Sequence, residues 1–398
     1  MMKEAITIKN NTLTKPFGNG TIPNNWDVKK VSEAFDICNN LRLPISETER
    51  KKIKGDYPYY GPTKIQDYIN EYRLDGTYAL IGEDGDHFLK WKDLPMTLLV
   101  SGQFNVNNHA HIIQGGNNLT EWFFYYFNHR PLTPYLTRQG AGRYKLTKAA
   151  LSKILCPIPP INEQHGIVEL LRVWDKAINT NNQLIAQKEL RKKWLMQNLL
   201  TGKKRLDGFN EKWKEYHLGE IFSERNERNN DDLSLLSIGQ NGVYPQEDSI
   251  KKDTSNSDKS KYKKICVGDI GYNTMRMWQG RSALSSLEGI VSPAYTVVAP
   301  KDNADSFFFS YLFKTPKLIN LFWRNSQGLV GDTLNCKYKD FSIVKAILPQ
   351  KEEQTAIAKV LQVADKELNL LKSKTDKLRE QKKGMMQQLL TGKKRLKN

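Results

Sequence analysis

Residues 159–206 recur as residues 349–396. Aligned without a gap at an offset of 190, the two segments agree at 21 of 48 positions. PPINEQHGIVELLRVWDKAIN from Pro159 answers PQKEEQTAIAKVLQVADKELN from Pro349, and KKWLMQNLLTGKKRL (192–206) answers KKGMMQQLLTGKKRL (382–396). Self-similarity on this scale marks a duplicated structural unit, so the fold has to use the same segment twice. A fainter echo opens each half: Trp26, Glu33 and Phe35 are spaced like Trp213, Glu220 and Phe222. Between these anchors the halves diverge, which leaves a plan of variable globule, shared segment, variable globule, shared segment.

The shared segments read as long helices. Steps of four and three from Ile167 reach Leu171, Trp174, Ile178, Asn181, Ile185, Lys188, Lys192, Leu195 and Leu199. The second copy runs Ile357, Leu361, Ala364, Leu368, Leu371, Thr375, Leu378, Lys382, Met385 and Leu389. This is a heptad seam, apolar at most positions and polar in the middle of the first copy at Asn181, Lys188 and Lys192. Pro159, Pro160 and Pro349 bar extension backward, Asn162 is expected to cap the first helix, and Gly202 and Gly392 stand where a left-handed C-cap belongs. About 39 residues at 1.5 Å each give roughly 58 Å of helix. The cheapest burial of two matching seams is antiparallel packing. The expected fold class is α+β: two mixed α/β globules separated by a long antiparallel two-helix coiled coil, with a pseudo-two-fold internal repeat. The boundaries expected are an N-terminal arm at 1–20, a first globule at 21–158, a first helix at 159–206, a second globule at 207–348 and a second helix at 349–398.

Of 398 residues, 39% are hydrophobic and 10% aromatic, enough to build more than one buried core. The net charge of +18 divides into +10 for residues 1–206 and +8 for 207–398, so each half carries its own positive field, as expected of two surfaces that each meet a polyanion. No apolar run approaches the roughly 20 residues that span a bilayer, and the first 20 residues lack the apolar stretch of a signal peptide. Cys38, Cys156, Cys266 and Cys336 are scattered without a C-x-x-C pair, which fits a reducing cytosol. The expectation is a cytoplasmic protein with no membrane partner.

Each globule carries strand-like runs (78–81, 98–100 and 111–113; 290–291 and 295–299) and an aromatic helical stretch, 119–127 and 306–313, which reads as core. Candidate DNA-contacting residues lie in polar loops with interleaved aromatics. In the first globule these are Tyr57, Tyr59 and Lys64, Lys90 and Lys92, Asn107, Asn108 and His109, and Arg138 and Arg143. In the second they are Lys261 and Lys263, Arg276, Trp278, Gln279 and Arg281, and Asn325 and Gln327. Arg suits guanine O6/N7 and Asn or Gln suits adenine N6/N7 in the major groove, while Lys mostly meets phosphate. For each of them the alternative is a solvated surface side chain.

Catalytic signatures are missing. There is no G-x-x-x-x-G-K-[ST] cradle for a nucleotide, and no carboxylate or thiol cluster joins His109 and His111 into a metal site. The nuclease-like triplets Glu49-Arg-Lys51 and Glu380-Gln-Lys382 sit in charged runs where such spacings arise by chance, and Pro157-Ile-Pro159-Pro160 is not the loop of an amino-methyltransferase. No catalytic residue and no metal ligand is assigned.

The paired Pro-x-x-x-Glu-Gln openings (Pro159–Gln164, Pro349–Gln354), the twin Leu-Leu-Thr-Gly-Lys-Lys-Arg-Leu ends and the Trp26 and Trp213 entries resemble the specificity subunit of type I restriction–modification systems. So do the segments 57–61, 80–85 and 106–111. The resemblance covers nearly the whole chain. It implies a non-catalytic reader of double-stranded DNA whose globules are target recognition domains, each engaging half of a split site. The helices would serve as ruler and as docking surface for two modification (methyltransferase) subunits, with Trp194, Leu199, Leu200, Met386, Leu389 and Leu390 as the contacts. No cofactor is implied for this chain: S-adenosylmethionine would sit on the modification subunits, and ATP and magnesium on the restriction (translocase/nuclease) subunits. Because residues 17–155 and 206–348 differ, the two half-sites should differ as well. A coiled-coil scaffold, or a reader from another restriction architecture with its own activity, remains the alternative.

Overall fold

The computed structural model describes residues 8–9, 13–139, 142–239, 242–249, 258–328 and 334–396. The chain divides into two compact units, residues 1–181 with 374–398, and residues 182–373.

In the first unit, six strands form one sheet: β1 (Asp36–Ile37), β2 (Lys54–Tyr60), β3 (Ile65–Ile69), β4 (Leu74–Gly82), β5 (Thr97–Val106) and β6 (Ala110–Gln114), in the order β1-β6-β4-β5-β2-β3. All neighbours are antiparallel except β2 and β5. Alternation along the strands splits the sheet's apolar residues between two faces. Leu80, Val100, Phe104 and Ile112 pack together on one side, while Ala79, Ile81 and Ile113 join the larger core beneath helix α1 (Thr120–Phe127). As its aromatic content predicts, α1 is buried: Trp122 and Phe123 have no exposed surface. A short hairpin, β7 (Thr137–Gln139) and β8 (Arg143–Lys145), follows.

The 39-residue helix α2 (Ile161–Leu199) begins in this unit. Its entry corrects one expectation: Asn162 lies inside the first turn, and the Pro160 carbonyl accepts the first hydrogen bonds, from Glu163 and Gln164.

The second unit is built on a four-stranded antiparallel sheet of β9 (Phe222–Glu224), β10 (Ile270–Asn273), β11 (Ser282–Leu284) and β12 (Tyr295–Pro300), in the order β9-β12-β10-β11. Helices α3 (Ser306–Leu312) and α4 (Pro316–Asn325) pack on it, with Phe308, Phe309, Phe313 and Phe322 fully buried. The second long helix, α5 (Lys351–Leu389), also has 39 residues. Each globule is closed by a strand near its start pairing with its last: Asp27–Lys30 with Leu155–Ile158, and Lys214–His217 with Lys345–Leu348.

Within each unit the long helices run antiparallel. In the first unit Glu163 meets Arg395 and Asp175 meets Lys382; in the second Lys188 meets Glu367, Lys192 meets Asp365 and Arg205 meets Glu353. The polar seam positions Lys188, Lys192 and Lys382 are therefore ion-pair positions, and of the apolar ones Ile167, Leu171, Ile357, Leu361 and Leu389 have zero exposure, while Trp174, Ile185, Leu195 and Leu378 are half-buried. The α+β twofold plan expected from the repeat is the plan observed.

Both helices end on a left-handed glycine, Gly202 with φ +69° and Gly392 with φ +67°. A Cβ on Gly392 would fall 2.2 Å from Pro23, so only glycine fits there. The expected arm at 1–20 is partly structured: residues 1–7 and 10–12 lie outside the described residues, but Thr14–Phe17 and Gly20–Pro23 form a hairpin, and Ile8–Lys9 pair with Arg395–Leu396.

Candidate nucleic-acid interface

In the first globule one end of the sheet gathers most of the predicted readers. The β5–β6 turn presents Asn108 and His109, both exposed, while Asn107 beneath them is buried and holds the turn in shape. Asn107 donates to Gln66 Oε1 at 3.0 Å and accepts the His109 amide at 2.8 Å. Lys64 stands exposed on the neighbouring β2–β3 turn, closed by the Gly61 amide on the Lys64 carbonyl. His109 Nδ1 pairs with Asp84 at 2.7 Å, and Asp84 bridges to Lys145 of the β7–β8 hairpin. On that hairpin Arg138 donates to Tyr144 Oη at 2.7 Å with its guanidinium 5.0 Å from the ring, and Arg143 is exposed. Gly140 and Ala141 of the loop between them lie outside the described residues.

Under this surface lies an ion network. Glu83 takes Arg42 at 2.7 Å and Lys145 at 3.2 Å. Fully buried His111 sits against it, with Nδ1 accepting from Asn39 and Arg42 and Nε2–H donating to the Leu146 carbonyl at 2.7 Å. Burial lowers its pKa, so the ring is held neutral in one tautomer. His111 therefore supports the surface instead of reading from it. Lys145, Tyr144 and Gln66 belong to the same end and were missed; the run Arg143-Tyr-Lys145 beside the basic loop was the available signal.

In the second globule Arg276, Gln279 and Arg281 are exposed on the β10–β11 connection, where Met277–Gln279 forms a single 3-10 turn closed by left-handed Gly280. Trp278 is half-buried, its Nε1 donating to the Met275 carbonyl at 2.9 Å. The Cys336 amide donates to the Thr274 carbonyl, and Asn335 bridges to exposed Gln327, which brings the segment after α4 to this loop. A cavity of about 470 Å³ there is lined by Glu224, Lys263, Met275, Asn335, Lys337 and Lys339. Lys261 is exposed nearby in sequence; Asn325 is half-buried, its amide donating to the Leu321 carbonyl at 2.8 Å. Lys337 and Lys339 are the residues missed here.

The structure corrects several assignments. Tyr59 has no exposed surface; its hydroxyl donates to the Leu43 carbonyl at 2.6 Å and its ring lies under Arg50, so it is core. Tyr57 is half-buried against Tyr72 at 4.9 Å between ring centroids. Asn107 and Lys263 are buried, the latter 3.4 Å from Glu224. Lys90 and Lys92 are exposed and flank Trp91, which with Lys92 lines a cleft beside Lys383 and Met386.

The proposed docking residues fare worse. Leu199 and Leu200 belong to the second unit's core, and Met386, Leu389 and Leu390 to the first's, where only Met386 and Leu390 reach the floor of the cleft beside Trp91. Trp194 alone is exposed, 47%, with Lys204 over its ring. The triplets also resolve: Glu49 closes a capping box with Ser46, and Lys382 pairs with Asp175.

The type I restriction modification DNA specificity domain matches the chain twice, over residues 23–189 and 210–380. The chain belongs to the type I restriction–modification specificity family. It is 24% identical to the putative type I restriction enzyme MjaX specificity subunit of Methanocaldococcus jannaschii over 439 residues, 95% of this chain and 96% of that one. A putative specificity subunit of Haemophilus influenzae is 38% identical over 144 residues, a match that spans only 36% of each chain. Among solved structures, the S subunit of a type I system from M. genitalium shares the fold, with a TM-score of 0.61 at 15% identity over 94% of this chain and 98% of that one. Both globules thus lie within DNA specificity domains. Among the described residues, no helix is long and apolar enough to cross a membrane.

Proposed function

We propose that this chain is the non-catalytic reading subunit of a cytoplasmic type I complex, each globule reading one half of an asymmetric, bipartite DNA site. The observation that carries this reading is the contrast inside the duplication. Identical residues of the repeats build the same framework in both units, while the surface loops held by that framework differ. The first reading end offers Lys64, Asn108, His109, Arg138, Arg143 and Lys145; the second offers Lys261, Arg276, Gln279, Arg281 and Gln327, with Lys337 and Lys339 beside them. Arg and Asn or Gln side chains discriminate base edges, and lysines neutralise phosphates. Different loops read different sequences, so the target is asymmetric and interrupted by an unread spacer.

The helices set that spacer, and two modification subunits dock on the chain. Those subunits bring S-adenosylmethionine; restriction subunits with ATP and magnesium join for cleavage. The test is methylome sequencing of cells that express the chain with a type I methyltransferase, with and without exchange of residues 21–155. A bipartite modified motif that changes in only one half on exchange supports the reading, and no new methylation from an assembled complex refutes it.

A further inference from the structure

The two aromatic helices, α1 and α3, have unlike sequences, TEWFFYYF and SFFFSYL, yet each is pinned to the framework at the same two points. At the near point a repeated glutamine holds the backbone. Gln164 Oε1 accepts the Leu119 amide at 3.0 Å and its Nε2 donates to Asn118 at 2.8 Å. Gln354 Oε1 accepts the Asp305 amide at 2.9 Å and its Nε2 donates to the Asn303 carbonyl at 3.2 Å.

At the far point a tyrosine meets a repeated aspartate. Tyr125 Oη donates to Asp175 Oδ2 at 2.8 Å, and Tyr311 Oη donates to Asp365 Oδ2 at 2.6 Å. The other carboxylate oxygen takes a lysine from the antiparallel helix, Lys382 at 2.5 Å in the first unit and Lys192 in the second. Each ammonium also faces the tyrosine ring, 5.3 Å and 5.6 Å from its centroid. The spacings are the same in both units: Leu119 to Tyr125 and Asp305 to Tyr311 on the globule, Gln164 to Asp175 and Gln354 to Asp365 on the framework. Burial and the adjacent carboxylate both raise the two phenols well above their ordinary pKa, so both remain protonated donors.

We propose that Tyr125 and Tyr311 are positioning residues, each clamping its recognition globule against rotation on the helix pair so that the half-site is read at a fixed spacing. This rests on the half-site reading above. Eleven helical residues separate the two anchors by roughly 16 Å. Play of about 1 Å at the far anchor then turns the globule by only some 3–4°. At its far edge, about 30 Å away for a domain with a radius of gyration near 14 Å, that is a shift of about 2 Å. One base-pair step is 3.4 Å, so the clamped globule stays in register, and slackening the far anchor widens the range of spacings it accepts.

The decisive experiment uses the full chain assembled with a type I methyltransferase, challenged with a library of bipartite sites whose spacer varies by one base pair either way. Tyr125→Phe and Tyr311→Phe keep ring and core but lose the hydroxyl. Each is expected to raise modification at off-length spacers several-fold while thermal unfolding stays near wild type. Lys382→Met, which removes the lysine from the same clamp without altering the globule's own sequence, is expected to do the same, and Lys382→Arg to restore the wild-type profile. Folded variants that keep the wild-type spacer profile would overturn the clamp, as would a drop in melting temperature with no change in profile. Failure of the wild-type chain to direct any bipartite modification would instead refute the half-site reading itself.

Discussion

Arg395 grips Glu163 with two parallel hydrogen bonds, Nε to Oε1 at 2.8 Å and Nη2 to Oε2 at 2.6 Å, across 232 positions of sequence. The same carboxylate accepts Trp26 Nε1 at 3.0 Å. In the second unit Arg205, Glu353 and Trp213 make the same arrangement, with Trp213 Nε1 donating to Glu353 at 3.1 Å. The tail of each repeat thus meets the head of the other, and the entry tryptophan of the globule seals the pair. This explains why Glu and Arg recur at the offset of 190: each is needed by a partner in the opposite copy.

Arg395→Met is expected to loosen the first unit alone. Glu163 is 10% exposed and would keep only the Trp26 donor, a largely buried charge left without its partner. Such losses destabilise by about 2–3 kcal/mol for a pair not wholly buried. Hydrogen exchange should rise around 161–175 and 385–396 and stay unchanged in the second unit.

Acid should weaken the first unit before the second. His87, His111 and His129 all have lowered pKa values, with burial the leading cause, and all lie in the first unit. A histidine depressed in the fold binds its proton only on unfolding, so stability falls as pH drops below the unfolded value near 6.5. At His111 a proton on Nδ1 would face the donors of Asn39 and Arg42. Each such group contributes a slope of up to about 1.4 kcal/mol per pH unit. Local stability followed by hydrogen exchange between pH 7.5 and 5.5 checks this, and His111→Gln should flatten the first unit's response.

Arg276→Ala should relax one half-site by about 1–3 kcal/mol at the base it contacts and leave the other half intact. Lys64→Ala should instead weaken binding evenly across sequences and reduce the salt slope by about one. Competition binding with singly substituted half-sites, repeated at several salt concentrations, separates the two. Equal damage to both halves from Arg276→Ala would break the modular picture.

Tyr59→Phe should cost about 1 kcal/mol of stability through the lost bond to the Leu43 carbonyl, with no change in the methylated motif. Asn108→Ala, on the exposed β5–β6 tip, should change the motif with little effect on denaturation. A motif altered by Tyr59→Phe would return that residue to the reading surface.

The sequence made the repeat, the helix ends and the aromatic cores legible because each is a local pattern. Pro159, Gly202 and the run from Trp122 to Phe127 act on their own neighbours. Asp175 and Lys382 were not legible as a pair, because 207 residues separate them and nothing local to either points to the other. The identical Leu-Leu pairs misled in the opposite way. Recurrence at 199–200 and 389–390 read as a shared contact with partners, but the same recurrence follows from filling the same hole in two cores. At the reading ends alternation gave no help. Tyr57 and Tyr59 lie two apart on β2, and which of them the fold would bury depends on Leu43 and Arg50, brought in from an outlying segment.

The division of the chain also dictates an order of events during synthesis. The second unit is a single stretch, 182–373, and has all its parts once α5 is half made. The first unit needs residues 374–398, so Glu163, Asp175 and the floor completed by Met386, Leu389 and Leu390 wait until that stretch has been made. Contacts closed over such separations form slowly, and the unfinished core meanwhile exposes apolar surface. The nascent first unit, though translated first, is therefore the later to mature and the one that most needs chaperone protection.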